Sequence, residues 1–153
     1  MIIIIEGADG SGKTTLANLL SKQTGYPVVH RSQPKTEEEK QQMRQMYVDT
    51  INTGRNMIFD RCWYSEMAYG PVMRDTSVIS YPEMYLLEEK LAKHGAIIIY
   101  CTDDPKTLWR RATKRGEDYI TDFDTFESIC ANFDAIMSVP HLVPVVKYDY
   151  KDL

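Results

Sequence analysis

Apolar and polar positions follow two alternating patterns along the chain. Short apolar segments predict five strands, at residues 2–5, 26–30, 56–60, 96–101 and 143–148. Between them, apolar residues recur every three or four positions, which is the spacing of one face of a helix. The first strand consists of four isoleucines, so we expect it to be buried on both faces. Regular alternation of strands and helices predicts a three-layer α/β/α fold around a five-stranded parallel sheet.

Capping residues place the limits of the predicted helices. Thr36 and Glu39 form a capping box, and Ser80, Pro82 and Glu83 begin another helix. Glycines at residues 25, 54 and 95 mark helix ends, while a helical region follows residue 61 and reaches about residue 73. Asp104-Pro105 begins a helix that runs to about residue 115. The remaining helices are predicted from apolar stripes, namely Leu16, Leu19 and Leu20 in the first, and Phe123, Phe126, Cys130, Phe133 and Met137 in the last.

A glycine-rich segment separates the first strand from the first helix. It predicts a phosphate-binding loop made of Gly7, Ala8, Asp9, Gly10, Ser11, Gly12, Lys13, Thr14 and Thr15. The glycines let backbone N–H groups surround phosphate oxygens, and the helix that follows points its positive dipole end at the same place. Lys13 can reach the outer phosphates, and the Thr14 hydroxyl can ligate Mg²⁺. This segment predicts binding of a nucleoside triphosphate, ATP, together with Mg²⁺.

Two charged residues follow the third predicted strand. Asp60 lies where that strand ends, at the edge of the sheet that faces the phosphate loop, so its carboxylate can hold Mg²⁺. Arg61 beside it can grip the phosphate of an acceptor with two parallel hydrogen bonds. The alternative is an ordinary surface ion pair at a strand end.

The helix predicted after Pro105 carries a cluster of positive charge. Its basic residues form two columns, Arg110 with Lys114 and Arg111 with Arg115. Like charges four residues apart oppose helix formation by about 0.2–0.5 kcal/mol a pair, so an anionic ligand would relieve a cost. Arginines that close over a transferred phosphate are a recurrent device in phosphoryl transfer. The alternative is a solvated helix face balanced by Glu117 and Asp118.

Composition narrows the class of protein. A chain of 153 residues is long enough for one domain, and a net charge of −4 argues against a large nucleic-acid surface. Three cysteines without metal-ligand spacing, Cys62, Cys101 and Cys130, indicate neither a disulfide framework nor a zinc site. We find no secretory leader and no segment of membrane-spanning length, so we expect a cytoplasmic protein that does not act on membranes.

Aromatic residues are dense in the middle of the chain. They are Trp63, Tyr64, Tyr69, Tyr81 and Tyr85. One of them could stack on a nucleobase, whereas the general alternative is packing in the core or at an interface. Asp9 has two alternatives as well, since it could stabilise the turn of the loop or bind a hydroxyl of a ligand sugar.

The motifs together resemble thymidylate kinase, within the nucleoside and nucleoside monophosphate kinases that share a phosphate-loop kinase fold. Residues 6–15 resemble that family's phosphate loop, and Asp60-Arg61, with Ser65 and Ala68-Tyr69, resembles its Asp-Arg motif. The resemblance implies that Asp9 contacts the sugar 3′-hydroxyl of the acceptor, that Arg61 holds its phosphate and that Tyr69 lies among the substrate-binding residues. It also implies a lid around residues 110–122 that carries Arg111 and Arg115, and a homodimer.

The predicted reaction is transfer of the ATP γ-phosphoryl group to a deoxynucleoside monophosphate, dTMP or a related pyrimidine deoxynucleotide. Lys13, Arg111 and Arg115 would stabilise charge, while Thr14 and Asp60 organise Mg²⁺. A phosphate acceptor is already ionised and needs no general base, whereas the related nucleoside kinases carry a glutamate where this chain has Ser32-Gln33-Pro34.

Two other functions stay open. One is a deoxynucleoside kinase that phosphorylates a 5′-hydroxyl with Asp60 as its base. The other is a nucleotide-binding module without catalysis, in which the acceptor-side residues have no role. The chain also lacks the Arg-Glu-Pro sequence typical of thymidylate kinases after the second strand, and no helix is predicted after Tyr148.

Overall fold

Strands and helices alternate in the order that the hydrophobic pattern predicts. A computed structural model of the protein describes residues 1–30, 34, 36–116, 120 and 122–149. In chain order its elements are β1 (Ile2–Glu6), α1 (Lys13–Thr24), β2 (Val28–His30), α2 (Glu37–Asn52), β3 (Met57–Asp60), α3 (Trp63–Met73), α4 (Tyr81–His94), β4 (Ala96–Cys101), α5 (Pro105–Lys114), α6 (Phe123–Ser138) and β5 (Val145–Tyr148). The strands form one all-parallel sheet in the order β2-β3-β1-β4-β5. The predicted three-layer α/β/α fold with five parallel strands is confirmed.

Strand β1 occupies the centre of the sheet and is buried along its whole length. Ile2 and Ile4 point into the larger hydrophobic cluster, and Ile3 and Ile5 point into the smaller one on the opposite face. Because β3 and β4 pair with its two edges and both faces are covered, every position of the strand excludes water. Burial on both faces therefore explains why β1 is an unbroken run of isoleucines.

Local sequence signals fix the helix starts, while the strand limits differ slightly from the prediction. The predicted capping box is present at the start of α2, and the structure shows a second at the start of α4, between Ser80 and Glu83. Strands β2 and β5 begin at Val28 and Val145, later than predicted, and each begins directly after a proline. Proline has no N–H group to donate to a strand partner, which explains both late starts.

Helix α1 buries a narrower stripe than its leucines predict. Leu16 and Ala17 are buried against the smaller cluster, whereas Leu19 is 38% exposed and Leu20 is partly buried. The prediction that Leu19 faces the core is therefore wrong. This face of the sheet carries only the smaller cluster, so α1 has less apolar surface to cover.

A buried network of charged and polar groups joins α3, α4 and the chain after α6. The hydroxyl of Tyr64 donates to Oε2 of Glu88 at 2.6 Å, and Nδ1 of His141 lies 2.6 Å from the same oxygen. The backbone N–H of Leu142 donates to Oε1 of Glu88 at 2.9 Å. Nε2 of His141 lies 2.8 Å from the carbonyl oxygen of Ile136, which can only accept, so this nitrogen carries a proton. The pair is best described as a buried carboxylate and an imidazolium.

The pKa values of the pair move apart. Burial opposes ionisation of Glu88, but hydrogen bonds from His141 and Tyr64 outweigh it and lower the pKa of Glu88 below 4.5. Burial also opposes the charge on His141, yet the hydrogen bond and charge of Glu88 raise the pKa of His141 above 6.5. The stabilisation that the Glu88 carboxylate gives to the fold is lost as the pH falls through its lowered pKa. The stabilisation that the His141 imidazolium gives is lost as the pH rises through its raised pKa. The pair therefore stabilises the fold fully between pH 4.5 and pH 6.5, the ordinary pKa values of the two groups.

We expect Glu88→Gln to lower the free energy of unfolding by about 3 kcal/mol at about pH 5.5, because it leaves a buried imidazolium without its carboxylate. Urea unfolding at about pH 5.5 and at a pH above the raised pKa of His141 measures the loss, which should be smaller at the higher pH because the imidazolium is lost from the wild type as well. The neighbouring exposed change Glu89→Gln is the control and should cost less than about 0.5 kcal/mol. An equal loss for Glu88→Gln at both pH values would contradict an ionised pair.

Candidate active site

Functional side chains meet where the central strands end. Strand β1 ends at Glu6, β3 at Asp60 and β2 at His30. In the sheet, Asp60 pairs with Ile5 on one side and with His30 on the other, so these strand ends are level. The phosphate loop, residues 7–12, leaves this edge and leads directly into α1. Ligands bind at the carboxyl edge in open parallel sheets, and the site has that position here.

The phosphate loop packs tightly against helix α5. A Cβ atom on Gly10 would lie 2.3 Å from the backbone oxygen of Leu108 and 3.1 Å from the backbone nitrogen of Ala112. Gly10 also has a φ of +80°, in the left-handed region that favours glycine. The helix with the predicted basic columns is thus in contact with the loop that is predicted to hold the nucleotide.

Three of the predicted site residues form a group of oxygens and a cation suited to phosphate and Mg²⁺. Thr14 donates through Oγ1 to Oδ2 of Asp60 at 2.8 Å. The other oxygen of Asp60, Oδ1, is buried and has no hydrogen-bond partner among the described residues. A hydroxyl and a carboxylate with a spare oxygen are hard ligands of the type that Mg²⁺ prefers, so this pair fits the ion. Lys13, the first residue of α1, is buried, and its Nζ lies 3.9 Å from Oδ1 of Asp9.

His30 lies beside Asp60 as well, although no motif in the sequence predicts it there. Its Nδ1 lies 3.1 Å from the same Oδ2 of Asp60, and its side chain is 62% exposed. A polar residue at the end of a short strand is a weak signal in sequence, because only the parallel pairing of β2 with β3 places it beside Asp60.

Arg61 reaches back across the site to the phosphate loop. Its Nη2 donates to Oδ1 of Asp9 at 2.5 Å and to the hydroxyl of Tyr69 at 3.3 Å, and its Nη1 donates to Oγ of Ser65 at 3.0 Å. The guanidinium carbon also lies 5.1 Å from the centre of the Tyr69 ring. These contacts place Arg61 between the loop and α3, in an ion pair with Asp9 in which its side chain is 22% exposed.

Arg61 has an unusual backbone conformation. Its φ is +72°, which costs a residue with a Cβ atom about 1 kcal/mol or more, and its N–H group donates to the carbonyl of Ile5 at 3.1 Å. The strain occurs where β3 turns sharply into α3, directly at the candidate site.

Glu6 is a buried carboxylate to which the sequence analysis assigns no role. Its Oε2 accepts from the backbone N–H groups of Cys62 at 3.1 Å and Ser65 at 2.7 Å, and its Oε1 accepts from the Ser65 hydroxyl at 2.6 Å. Burial raises the pKa of Glu6 to about 7, although the hydrogen bonds and the charge of Arg61 act in the opposite direction. A carboxylate at the end of an apolar strand is the sequence signal that could have revealed it.

The basic helix α5 divides into held and exposed residues. Arg111 donates through Nη2 to Oδ2 of Asp103 at 3.1 Å and is partly buried, whereas Arg110, Lys114 and Arg115 are exposed. The predicted lid around residues 110–122 extends into residues 117–119 and 121, which lie outside the described residues, as do the proposed balancing charges Glu117 and Asp118. Arg111 is therefore the residue of the two basic columns that is partly buried, while the other three are exposed to solvent.

The dense aromatic residues fall mainly in the core. Trp63, Tyr64 and Tyr69 are buried, and the Trp63 ring lies 5.1 Å from that of Tyr47. Tyr81 is exposed at the start of α4, away from this group. Tyr69 is the aromatic residue in contact with Arg61.

Comparison with known proteins places the chain in a family. The family model for Polyphosphate kinase 2 (PPK2) matches residues 1–128. The chain belongs to the polyphosphate kinase 2 family. The SPbeta prophage-derived protein YorR of Bacillus subtilis is 29% identical over 137 residues, which cover 90% of this chain and 82% of YorR. A crystal structure of YorR in complex with phosphorylated GDP has a TM-score of 0.81 at 25% identity and covers 97% of this chain and 85% of that one.

Two further proteins delimit the assignment. A probable thymidylate kinase of Archaeoglobus fulgidus is 25% identical over 144 residues, covering 76% of this chain and 71% of that protein. Deoxyadenosine kinase from M. mycoides with bound dATP has a TM-score of 0.64 at 20% identity, covers 99% of this chain and 92% of the other, and shows the fold alone. The matches support a phosphotransferase of the nucleotide or nucleoside kinase type. They do not confirm the more specific resemblance to thymidylate kinase.

Membrane crossing is not supported by the helices. None of those in the described part of the chain is both long and apolar enough to span a bilayer. Cys62, Cys101 and Cys130 are buried and are not joined by disulfide bonds.

We expect Gly10→Ala to weaken ATP binding by about tenfold or more, because the new methyl group would force the phosphate loop away from the α5 backbone. Gly25→Ala is the matched control: its φ of +77° carries the same backbone penalty, but nothing lies within 4 Å of the added atom. It should cost about 1 kcal/mol of unfolding free energy and leave ATP binding unchanged. Isothermal titration measures the ATP affinity of both variants, and urea unfolding measures their stability. Equal ATP affinities for the two variants would contradict the importance of the contact between Gly10 and α5.

Proposed function

We propose that the protein transfers the γ-phosphoryl group of ATP to a deoxynucleoside monophosphate, dTMP or a related pyrimidine deoxynucleotide. The observation that carries this proposal is the position of Arg61. It follows the end of β3, and its guanidinium is bound to Asp9 of the phosphate loop. An arginine so placed can hold the phosphate of an acceptor close to the phosphate of a donor.

The donor side consists of the phosphate loop and the start of α1. Loop N–H groups and the positive end of the α1 dipole bind the phosphate oxygens of ATP, and Lys13 balances their charge. Thr14 and Asp60 would hold Mg²⁺, which would supply positive charge to offset the charge that develops during transfer. These groups hold the terminal phosphorus atom in place for attack from the acceptor side.

The acceptor side exchanges one anion for another. In the structure the Asp9 carboxylate is bound to Arg61, and the phosphate of the acceptor would take its place on the guanidinium. A phosphate monoester is ionised at neutral pH, so attack on the γ-phosphorus needs no proton removal. Asp9 is then available to a sugar hydroxyl of the same acceptor. Arg111, held by Asp103 at the edge of the loop, is the residue of α5 best placed to neutralise the transferred group.

A deoxynucleoside kinase is the second candidate. Oδ1 of Asp60 is buried without a hydrogen-bond partner among the described residues, and it could accept the proton of a 5′-hydroxyl instead of binding Mg²⁺. The name of the matching family adds inorganic polyphosphate as a donor to be tested beside ATP.

A screen of the wild-type protein distinguishes these candidates. ATP, GTP and polyphosphate are offered as donors, each with thymidine, deoxyuridine, deoxycytidine and deoxyadenosine or with their monophosphates. We expect ATP-dependent conversion of a pyrimidine deoxynucleoside monophosphate to the diphosphate. Phosphorylation of nucleosides but of no monophosphate would overturn the proposal, and ATP binding without any transfer would indicate a binding module.

We expect Lys13→Ala to lower kcat about 100-fold or more, because it removes the charge that offsets the outer phosphates of ATP. Lys22→Ala, at the exposed end of the same helix, is the control and should leave the rate unchanged. Steady-state kinetics with saturating ATP measures both. A near-normal rate for Lys13→Ala would refute the role of the loop.

We expect Arg61→Lys to raise the KM for a monophosphate acceptor about tenfold or more, since lysine keeps the charge but loses the two-pronged grip. The KM for ATP should change little, and Arg55→Lys, an exposed arginine just before β3, is the control. An acceptor without a phosphate would not depend on this grip. An unchanged KM for the monophosphate would contradict the proposed role of Arg61.

A further inference from the structure

We infer that Glu6 is a positioning residue for the acceptor-binding arginine, acting through the hydroxyl of Ser65 and the first turn of α3. The inference deepens the proposed function and rests on it, because it assumes that Arg61 holds the phosphate of the acceptor. Glu6 itself reaches neither substrate in this scheme. Its hydrogen bonds fix the position of the Arg61 side chain.

Glu6 supplies the cap that helix α3 lacks. The residue before the helix, Cys62, makes no side-chain capping bond, and the first N–H groups of any helix have no partner within it. Oε2 of Glu6 accepts from the N–H groups of Cys62 and Ser65, at 3.1 Å and 2.7 Å. Strand β1 is thereby joined to the start of α3, immediately after Arg61. The left-handed turn at Arg61 is held between this contact and its own hydrogen bond to Ile5.

The carboxylate also determines which way the Ser65 hydroxyl points. A serine hydroxyl has one proton, and here it is donated to Oε1 of Glu6 at 2.6 Å. The lone pairs of Oγ are therefore left facing Nη1 of Arg61, which donates to them at 3.0 Å. A single chain of hydrogen bonds runs from Arg61 through Ser65 to Glu6. Reversing the hydroxyl would point a proton at the guanidinium.

The energetics indicate a role in function rather than in stability. Burial raises the pKa of Glu6 to about 7, which means that folding opposes its ionised form. The positive φ of Arg61 also destabilises the fold, and Arg61 is joined to Glu6 through Ser65. Perturbed carboxylates and strained backbone concentrate at functional sites. Here both belong to groups that share hydrogen bonds with the arginine.

A double-mutant cycle tests the inference. In Glu6→Gln the one remaining carbonyl oxygen is taken by the N–H groups of Cys62 and Ser65, so the amide NH₂ faces the Ser65 hydroxyl. The hydroxyl can then no longer donate to residue 6, and the orientation that directs its lone pair at Arg61 is no longer fixed. Ser65→Ala removes the hydroxyl. We expect each change to raise the KM for the monophosphate about tenfold, and the double mutant to be no worse than the more affected single mutant. The dissociation constant of ATP, measured by titration, should stay within about twofold. The chain of hydrogen bonds reaches the phosphate loop through Arg61, at Asp9 and the carbonyl of Gly7, and not at the N–H groups and Lys13 that would bind ATP.

Two controls separate positioning from loss of structure. Glu88→Gln removes another buried carboxylate, one that contacts α3 through the hydroxyl of Tyr64 and not through Ser65, so it should lower thermal stability without raising the KM for the monophosphate. Ser65→Thr keeps a hydroxyl and should restore most of the affinity that Ser65→Ala loses. If Glu6→Gln does not fold, this alanine and threonine pair still decides the outcome.

Each result has one meaning. Additive effects in the cycle, an equal loss of ATP binding, or a similar rise in KM for Glu88→Gln would each overturn the inference while the proposed function stands. If the wild type phosphorylates no monophosphate, the proposed function fails, and the inference fails with it. Non-additive effects confined to the monophosphate support both.

Discussion

The parallel pairing of β1 with both β3 and β4 is the constraint on which the rest of the structure depends. It brings the ends of three strands level, so that Glu6, Asp60 and the start of the phosphate loop share one edge of the sheet. Four isoleucines supply the burial that holds this central strand in register. A slip of one residue would turn Ile2 and Ile4 to the face of Ile3 and Ile5, which the two different clusters do not permit.

A single carboxylate oxygen connects the two halves of the candidate site. Oδ1 of Asp9 lies 2.5 Å from Nη2 of Arg61 and 3.9 Å from Nζ of Lys13. Lys13 belongs to the donor side of the proposed reaction and Arg61 to the acceptor side. Because both cations share this anion, a phosphate that binds either one changes the balance of charge at the other. The phosphate loop thus has a part in acceptor binding that its glycines and lysine alone would not predict.

What could be predicted from sequence depends on the range of the interaction. The isoleucine run, the capping box of α2 and the phosphate loop are local patterns, and the structure contains each of them where the sequence places it. The exposure of Leu19 could not be predicted, because it depends on how much apolar surface the opposite face of the sheet offers. Glu6 and Asp103 were missed for the same reason: their partners are 59 and 8 residues away, and only folding brings them together.

The two arginines assigned to phosphate binding are each held by a carboxylate, Arg61 by Asp9 and Arg111 by Asp103. An arginine that is largely buried without an anion would destabilise the fold by several kcal/mol, on the order of 3–5. Aspartates of the loops that follow β1 and β4 supply this anion in the free protein. An ionised phosphate monoester carries about twice the charge of a carboxylate and offers three acceptor oxygens, so it can displace an aspartate where a carboxylate ligand could not. In the proposed reaction, the same contacts that stabilise the empty site therefore discriminate in favour of phosphate.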